Sequence, residues 1–241
     1  MWSKLALLVV IAGLGAAPAT DAGTLAGDAA RALAATRHGV TAFSLAYRYT
    51  EHGPAHNVDR SSRAMVLRDD GAVVKMRTLG DDANKPTYVE DDYHLPIDTK
   101  YLAEYRFSAG SAPCERCPAA AVAVDFTSLE RDDEHGDGTM WIDEPSHRIV
   151  ALHFHPSVLP AHTDSADITV AFGQVLPDLW DVTVAQQQYN GHTLIFHGWG
   201  RVEQRQNSYR RFASVGDGLT ALSAAAAGAA GAATPRRRLR R

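Results

Sequence analysis

Apolar and polar residues alternate with a period of two through most of this chain. In Phe43-Ser44-Leu45-Ala46-Tyr47-Arg48-Tyr49, residues Phe43, Leu45, Tyr47 and Tyr49 share one face while Ser44, Ala46 and Arg48 share the other, the mark of a half-buried strand. Met65 to Arg68 and Val73 to Arg77 flank Asp70-Gly71, a dipeptide suited to the left-handed backbone of a two-residue hairpin. The alternation resumes at Tyr101, Ala103, Tyr105 and Phe107, then at Val122, Val124 and Phe126. An acidic turn, Asp132 to Gly138, leads into Thr139–Asp143 and Arg148–His155. Ile168–Gln174, Asp181–Gln187, Thr193–Val202 and Tyr209–Phe212 follow, and the whole amounts to about nine or ten strands. Tight polar connections predict antiparallel neighbours, because parallel pairing needs long helical crossovers that this pattern lacks. One segment has a helical period: Thr24 to Ala35, with Thr24 as a cap and Leu25, Ala29 and Leu33 on one stripe. Glu90 to Lys100 contains Asp91-Asp92 and Pro96 and reads as a connecting loop. The fold class predicted is α+β with a dominant antiparallel sheet.

The two ends of the chain differ from this middle. Lys4, the apolar run Leu5–Leu14 and Ala17-Pro18-Ala19 have the form of an export signal cleaved after Ala19. The apolar run is short of the roughly 20 residues that span a bilayer. These features predict a periplasmic or secreted protein with residues 1–19 as signal peptide. Residues 20–216 then make a single domain, and 217–241 a disordered Ala/Gly-rich tail ending in the arginine cluster Arg236–Arg241. The chain has 24 Lys plus Arg and 28 Asp plus Glu; setting aside Lys4 and the five arginines of the tail leaves 18 against 28, a net charge of −10 for the body. Such a body argues against nucleic acid as partner, since phosphate binding needs clustered positive charge. The arginine tail suits anionic lipid head groups or the acidic body itself.

The order of helix, aromatic strand and hairpins, then Gly138-Thr-Met-Trp-Ile-Asp143, Arg148-Ile-Val150 and the turn Gly173-Gln-Val-Leu-Pro-Asp-Leu-Trp180, resembles the LolA-like periplasmic proteins. That group comprises outer-membrane lipoprotein carriers and their secreted relatives. The resemblance runs from about Leu25 to Val215. It implies a strongly curved antiparallel sheet, an unclosed half-barrel, with an N-terminal helix over its concave face and acyl chains entering the space between. Arg48 and Arg77 do not match the arginine pattern of the carriers, so no functional residue is carried over.

A long sheet must close or cover its apolar face, and one short Ala-rich helix leaves part of it open. Phe43, Leu45, Tyr47, Tyr49, Tyr105, Phe107 and Trp141 are the expected lining of the resulting groove; the bland alternative is that they fill a core. The ligand expected is a lipid or a lipoprotein acyl chain. An envelope interaction module without ligand, docking on an envelope protein, is the alternative. Cys114 and Cys117 lie in a Pro-bounded loop before a strand, which favours a structural disulfide over thiol exchange, since redox motifs of this spacing precede a helix. His153 and His155 share a strand face and could join His192 or His197 on a metal, yet the wet face of a half-exposed strand is the better account of them. The Asp132–Gly138 turn lacks the spacing of a calcium loop and reads as a solvated turn. No nucleophile elbow, phosphate loop or dinucleotide fingerprint occurs. No catalytic residue, metal ligand or cofactor is therefore assigned.

Overall fold

Ten strands form one antiparallel sheet: β1 (Val40–His52), β2 (Asn57–Asp69), β3 (Ala72–Leu79), β4 (Tyr105–Ala109), β5 (Ala121–Ser128), β6 (Gly136–Asp143), β7 (Arg148–Pro156), β8 (Thr163–Leu176), β9 (Leu179–Thr193) and β10 (Phe196–Phe212). Helix α1 (Ala22–Thr36) precedes them and α2 (Val215–Ala232) follows. This computed structural model describes residues 21–54, 57–79, 93–193 and 196–232. The expected export signal, its cleavage after Ala19 and the arginine cluster lie outside the described residues.

The strand order is β3-β2-β1-β10-β9-β8-β7-β6-β5-β4. Strands β3 and β4 are consecutive in the chain, yet they form the two opposite edges of the sheet, so the sheet is not closed into a barrel. Local chemistry accounts for the pairing. Asp70 and Gly71 both have positive φ, 48° and 84°, the backbone of a type I′ turn whose twist matches the strands it joins. At Gly138 a Cβ would meet the carbonyl oxygen of His153 at 2.1 Å, so only glycine allows β6 and β7 to approach this closely.

Helix α1 begins one turn earlier than the sequence pattern places its cap. Asp21, not Thr24, is the N-cap, and its side chain accepts a hydrogen bond from Thr24 N at 3.1 Å. The predicted stripe is correct: Leu25, Ala29 and Leu33 are buried, joined by Ala26 and Ala30. Gly23 stands against Phe107 on β4, while Thr36 Oγ1 donates to the carbonyl of Trp180 on β9 at 3.0 Å. Fifteen residues of helix span about 22 Å, close to the five strand spacings of about 24 Å that separate β4 from β9. The helix thus lies across the strands. Arg211 donates to the carbonyl of Thr36 at 2.8 Å, placing a cation at the negative end of the helix dipole.

The core has two inner parts and one outer part. Under α1, Val124, Phe126, Met140, Ile142, Phe154, Ile168 and Val170 fill the inner face of β5 to β8. Beyond the pair Val184–Arg205, β9 parts from β10, and Val175, Leu176 and Leu179 at the β8–β9 tip pack on Phe43, Leu45, Ala64 and Val66. On the opposite face, Leu222 of α2 packs on Val40, Ala42 and Leu67.

That last contact corrects the expected disordered tail over residues 217–232. Ser214 and Asp217 cap the helix reciprocally, with Asp217 N donating to Ser214 Oγ at 3.2 Å and Ser214 Oγ donating to Asp217 Oδ2 at 2.8 Å. An alanine run has the highest helix propensity of any residue type, and one buried leucine with a cap suffices to seat it on the sheet. A second difference concerns the strand expected over 101–107. Its first part is a 3₁₀ turn, Leu102–Glu104, and pairing begins only at Tyr105.

Candidate functional site

The connection from β3 to β4 builds the site. Its described part, residues 93–104, runs over the inner face, and Leu95 and Ile97 are buried there against the core under α1. Tyr93 meets Phe154 edge to face at 5.1 Å between ring centres, and His94 N donates to the carbonyl of Glu134 at 2.8 Å. Tyr105 donates its hydroxyl to the carbonyl of His94, and burial pushes the Tyr105 phenol pKa well up. The stretch read as a plain connecting loop is thus a covering segment whose two apolar residues seal part of the half-barrel.

Two spaces remain beside this cover. The larger, about 420 Å³, lies between the end of α1, the β2–β3 turn and the covering segment; Leu33, Val73, Tyr93, Leu95, Ile97 and Tyr101 give it apolar walls. Arg37, Asp70, Asp98 and Lys100 supply charge at its margins. Lys100 is held 3.3 Å from Asp98 and 4.5 Å from the centre of the Tyr101 ring. The smaller space, about 220 Å³, is lined by Tyr93, Pro156, Pro160, Ala166, Gln187 and Tyr189. Tyr93 borders both spaces.

Behind the larger space stands a buried ionic group. Asp181, fully buried, accepts from Arg37 Nη2 at 2.6 Å, from its neighbour Val182 N at 2.8 Å and from Arg68. Arg68 also stacks on Phe43, 4.9 Å from its ring centre. Burial opposes ionisation of Asp181, and the guanidinium groups of Arg37 and Arg68 outweigh it, holding the carboxyl below the usual carboxylate range. This triad ties the end of α1 to β2 and β9.

Three solved structures align with most of this chain. A LolA superfamily protein from Nitrosomonas europaea aligns over 83% of this chain and 97% of its own, with 9% identity and a TM-score of 0.42. A putative outer membrane lipoprotein-sorting protein domain from Vibrio parahaemolyticus aligns over 82% and 99%, with 11% identity and a TM-score of 0.41. A DUF1329 family protein from Desulfovibrio piger aligns over 84% and 100%, with 10% identity and a TM-score of 0.43. No family model matches the sequence, and no curated protein does. At such identities the likeness reaches no individual residue.

The residues expected to line a groove are not brought together. Phe43 and Leu45 are fully buried under the β8–β9 tip, Phe43 stacking on Tyr209 at 5.0 Å. Tyr47 is half-buried, opposite Ser62 and Gln204. Tyr49 is bonded through its hydroxyl to Glu51 and, at 2.7 Å, to Tyr189, which borders the smaller space. Burial, followed by these two bonds, pushes the Tyr49 pKa up. Tyr105 and Phe107 belong to the core beneath α1. Trp141 lies between the inward-facing Met140 and Ile142, hence on the other face, and donates to the carbonyl of Ala112 at 2.9 Å. The walls that the sequence reading missed are Tyr93, Leu95, Ile97 and Val73; Leu95 and Ile97, two apolar residues astride Pro96 in a polar stretch, were the available signal.

Cys114 and Cys117 form a disulfide in the β4–β5 connection, and β5 starts at Ala121 with no helix between. The bridge closes a ring of only four residues, so the double substitution Cys114→Ser with Cys117→Ser is expected to cost about 2 kcal/mol or less. Urea unfolding of the oxidised wild type and the variant measures the difference, and a loss well above that value would give the bridge a larger role. Of the histidines weighed for a metal, His153 lies 3.3 Å from Asp167, and His192 and His197 lie 2.6 and 3.9 Å from Asp164. The acidic turn is less solvated than expected, because His135 within it is buried, its ring nitrogens 2.7 Å from Asp132 and 2.8 Å from Glu104.

Proposed function

We propose that this chain is an exported, non-enzymatic protein that holds an apolar ligand, a lipid or acyl chain, beneath the covering segment of its half-barrel. The observation that carries this reading is the 420 Å³ space walled by Leu33, Val73, Tyr93, Leu95, Ile97 and Tyr101, a volume within the range of small-molecule sites, roughly 300–1,000 Å³. Arg37 and Lys100 at its margin suit an anionic head group on an otherwise apolar molecule. A periplasmic location is supported by the leader-like N-terminus and by the Cys114–Cys117 bridge, which an oxidising compartment preserves. Among the described residues no helix is long and apolar enough to cross a membrane.

The test is a plugged cavity. Ala34 borders the larger space from an exposed position on α1, so Ala34→Trp fills it with little strain on the core. Wild-type protein is expected to bind a fluorescent fatty acid saturably and to release co-purified lipid under native mass spectrometry. Ala34→Trp should keep the wild-type thermal midpoint to within a few degrees and lose at least tenfold in probe affinity, about 1.4 kcal/mol. Equal binding by both proteins, or none by the wild type, removes the carrier reading. Crosslinking that then captures an envelope protein would favour the interaction module.

A further inference from the structure

We propose that His94, Glu104 and His135 form a binding site for a divalent transition-metal ion of the zinc class, which clasps the covering segment to the sheet. His94 and Glu104 stand at the two ends of the covering segment, Glu104 in the 3₁₀ turn before β4, and His135 lies just before β6. Their ligand atoms all lie within 4.8 Å of one another, and His135 Nε2 stands 2.8 Å from Glu104 Oε2. Donors bound tetrahedrally at 2.0–2.1 Å sit about 3.3 Å apart, inside that range, so small side-chain rotations accommodate an ion.

The surroundings prepare His135 for this role. Its Nδ1 lies 2.7 Å from Asp132 Oδ1, and that oxygen is itself fixed by the backbone N–H groups of Glu134 and His135 at 3.0 and 2.9 Å. With the ring proton donated from Nδ1 to Asp132, the Nε2 lone pair faces Glu104 and His94. A carboxylate behind a histidine in this way sets its tautomer and raises its basicity towards a metal. The His94 ring is stacked on Tyr101 at 4.1 Å and meets His135 edge to face at 5.0 Å. Two neutral imidazoles and one carboxylate select zinc-like ions over calcium or magnesium, which prefer all-oxygen sets. His135 is buried, whereas the side chains of His94 and Glu104 are 34% and 36% exposed; a fourth position can open to water.

Glu104, Asp132 and Glu134 together place three carboxylates around two histidines, an excess of negative charge that a dication neutralises. The metal-free alternative is an imidazolium at His135 bridging Glu104 and Asp132. The clasp follows from sequence position: His94 lies between Tyr93, which borders both spaces, and Leu95, which seals the core. The metal site itself does not depend on the proposed ligand; only its consequence for access to the groove does.

The experiment uses the full chain after chelator treatment, titrated with zinc chloride by calorimetry and by competition with a chromophoric chelator. One zinc per chain is expected, with no saturable response to magnesium, together with a zinc-dependent rise in thermal midpoint. His94→Ala and Glu104→Gln, both at partly exposed positions, and Asp132→Asn behind the site should each weaken zinc binding by tenfold or more, with folding checked by circular dichroism. Absent stoichiometric binding, or binding that His94→Ala and Glu104→Gln leave unchanged, overturns the site and leaves the imidazolium bridge. Zinc should also slow proteolysis within residues 93–101, and cleavage at the same rate with and without zinc overturns the clasp. Zinc binding without fatty-acid binding would keep this site and remove the carrier reading; the reverse outcome would do the opposite.

Discussion

Asp181→Ala is expected to lower stability by about 3–5 kcal/mol, because it leaves the guanidinium groups of Arg37 and Arg68 facing each other without their shared counter-charge. Both arginines converge on this carboxylate, whose own exposure is zero, and Arg68 is buried to 2% exposure. The loss should appear as a shift of the urea midpoint with little change in slope. A fall under about 1 kcal/mol would mean that water reaches the arginines and that the triad is not dry. The same group sets an acid limb. Its folded carboxyl is held below its ordinary value, near 3.9 in the unfolded chain. Its contribution is therefore complete above the unfolded value and disappears as pH falls through the lower folded one. Wild-type stability should fall more steeply below about pH 4 than that of Asp181→Asn, which has no proton to take up there. Parallel acid limbs in the two proteins would count against the assignment.

Leu45→Glu and Ser44→Glu should differ sharply although the two positions are adjacent. Leu45 is fully buried between Ala64 and Gln206 on neighbouring strands, under the β8–β9 tip. A carboxylate there has no partner and displaces a packed leucine, at an expected cost above about 3 kcal/mol. Ser44 is half-buried on the other face beside Met65 and Asn207, where glutamate should cost under about 1 kcal/mol. Thermal and urea unfolding decide the matter. Similar losses at both positions would show that the parity of β1 is not as described. Since the groove lies at the covering segment rather than over Leu45, the leucine variant should lose fatty-acid binding only as it loses its fold.

Short-range features of the fold were legible. Strand parity in 43–49 and the Asp70-Gly71 hairpin are decided by residues within a few positions of one another, as is the Leu25-Ala29-Leu33 stripe. A pleated strand or a helical turn needs no distant partner to set which side chains share a face. Tail helix α2 was missed because propensity and a Ser-x-x-Asp cap decide little unless a surface waits for Leu222, and that surface, Ala42 and Leu67, comes from strands far away in the chain.

The amino-acid sequence by itself determined the antiparallel α+β class, the positions of most strands, the buried stripe of the N-terminal helix, and a short cysteine pair with nothing helical behind it. Only the tertiary structure decided which strands became edges. With β10 inserted beside β1, β3 and β4 stand at opposite edges, and residues 93–104 form a cover over the inner face that carries Tyr93, Leu95 and Ile97. That cover also brought His94 and Glu104 to His135, and Asp181 near the β8–β9 tip joined Arg37 to Arg68. Each of these sites depends on contacts between residues 31 to 144 positions apart, and the short periodicities that sequence patterns report have no reach at such separations.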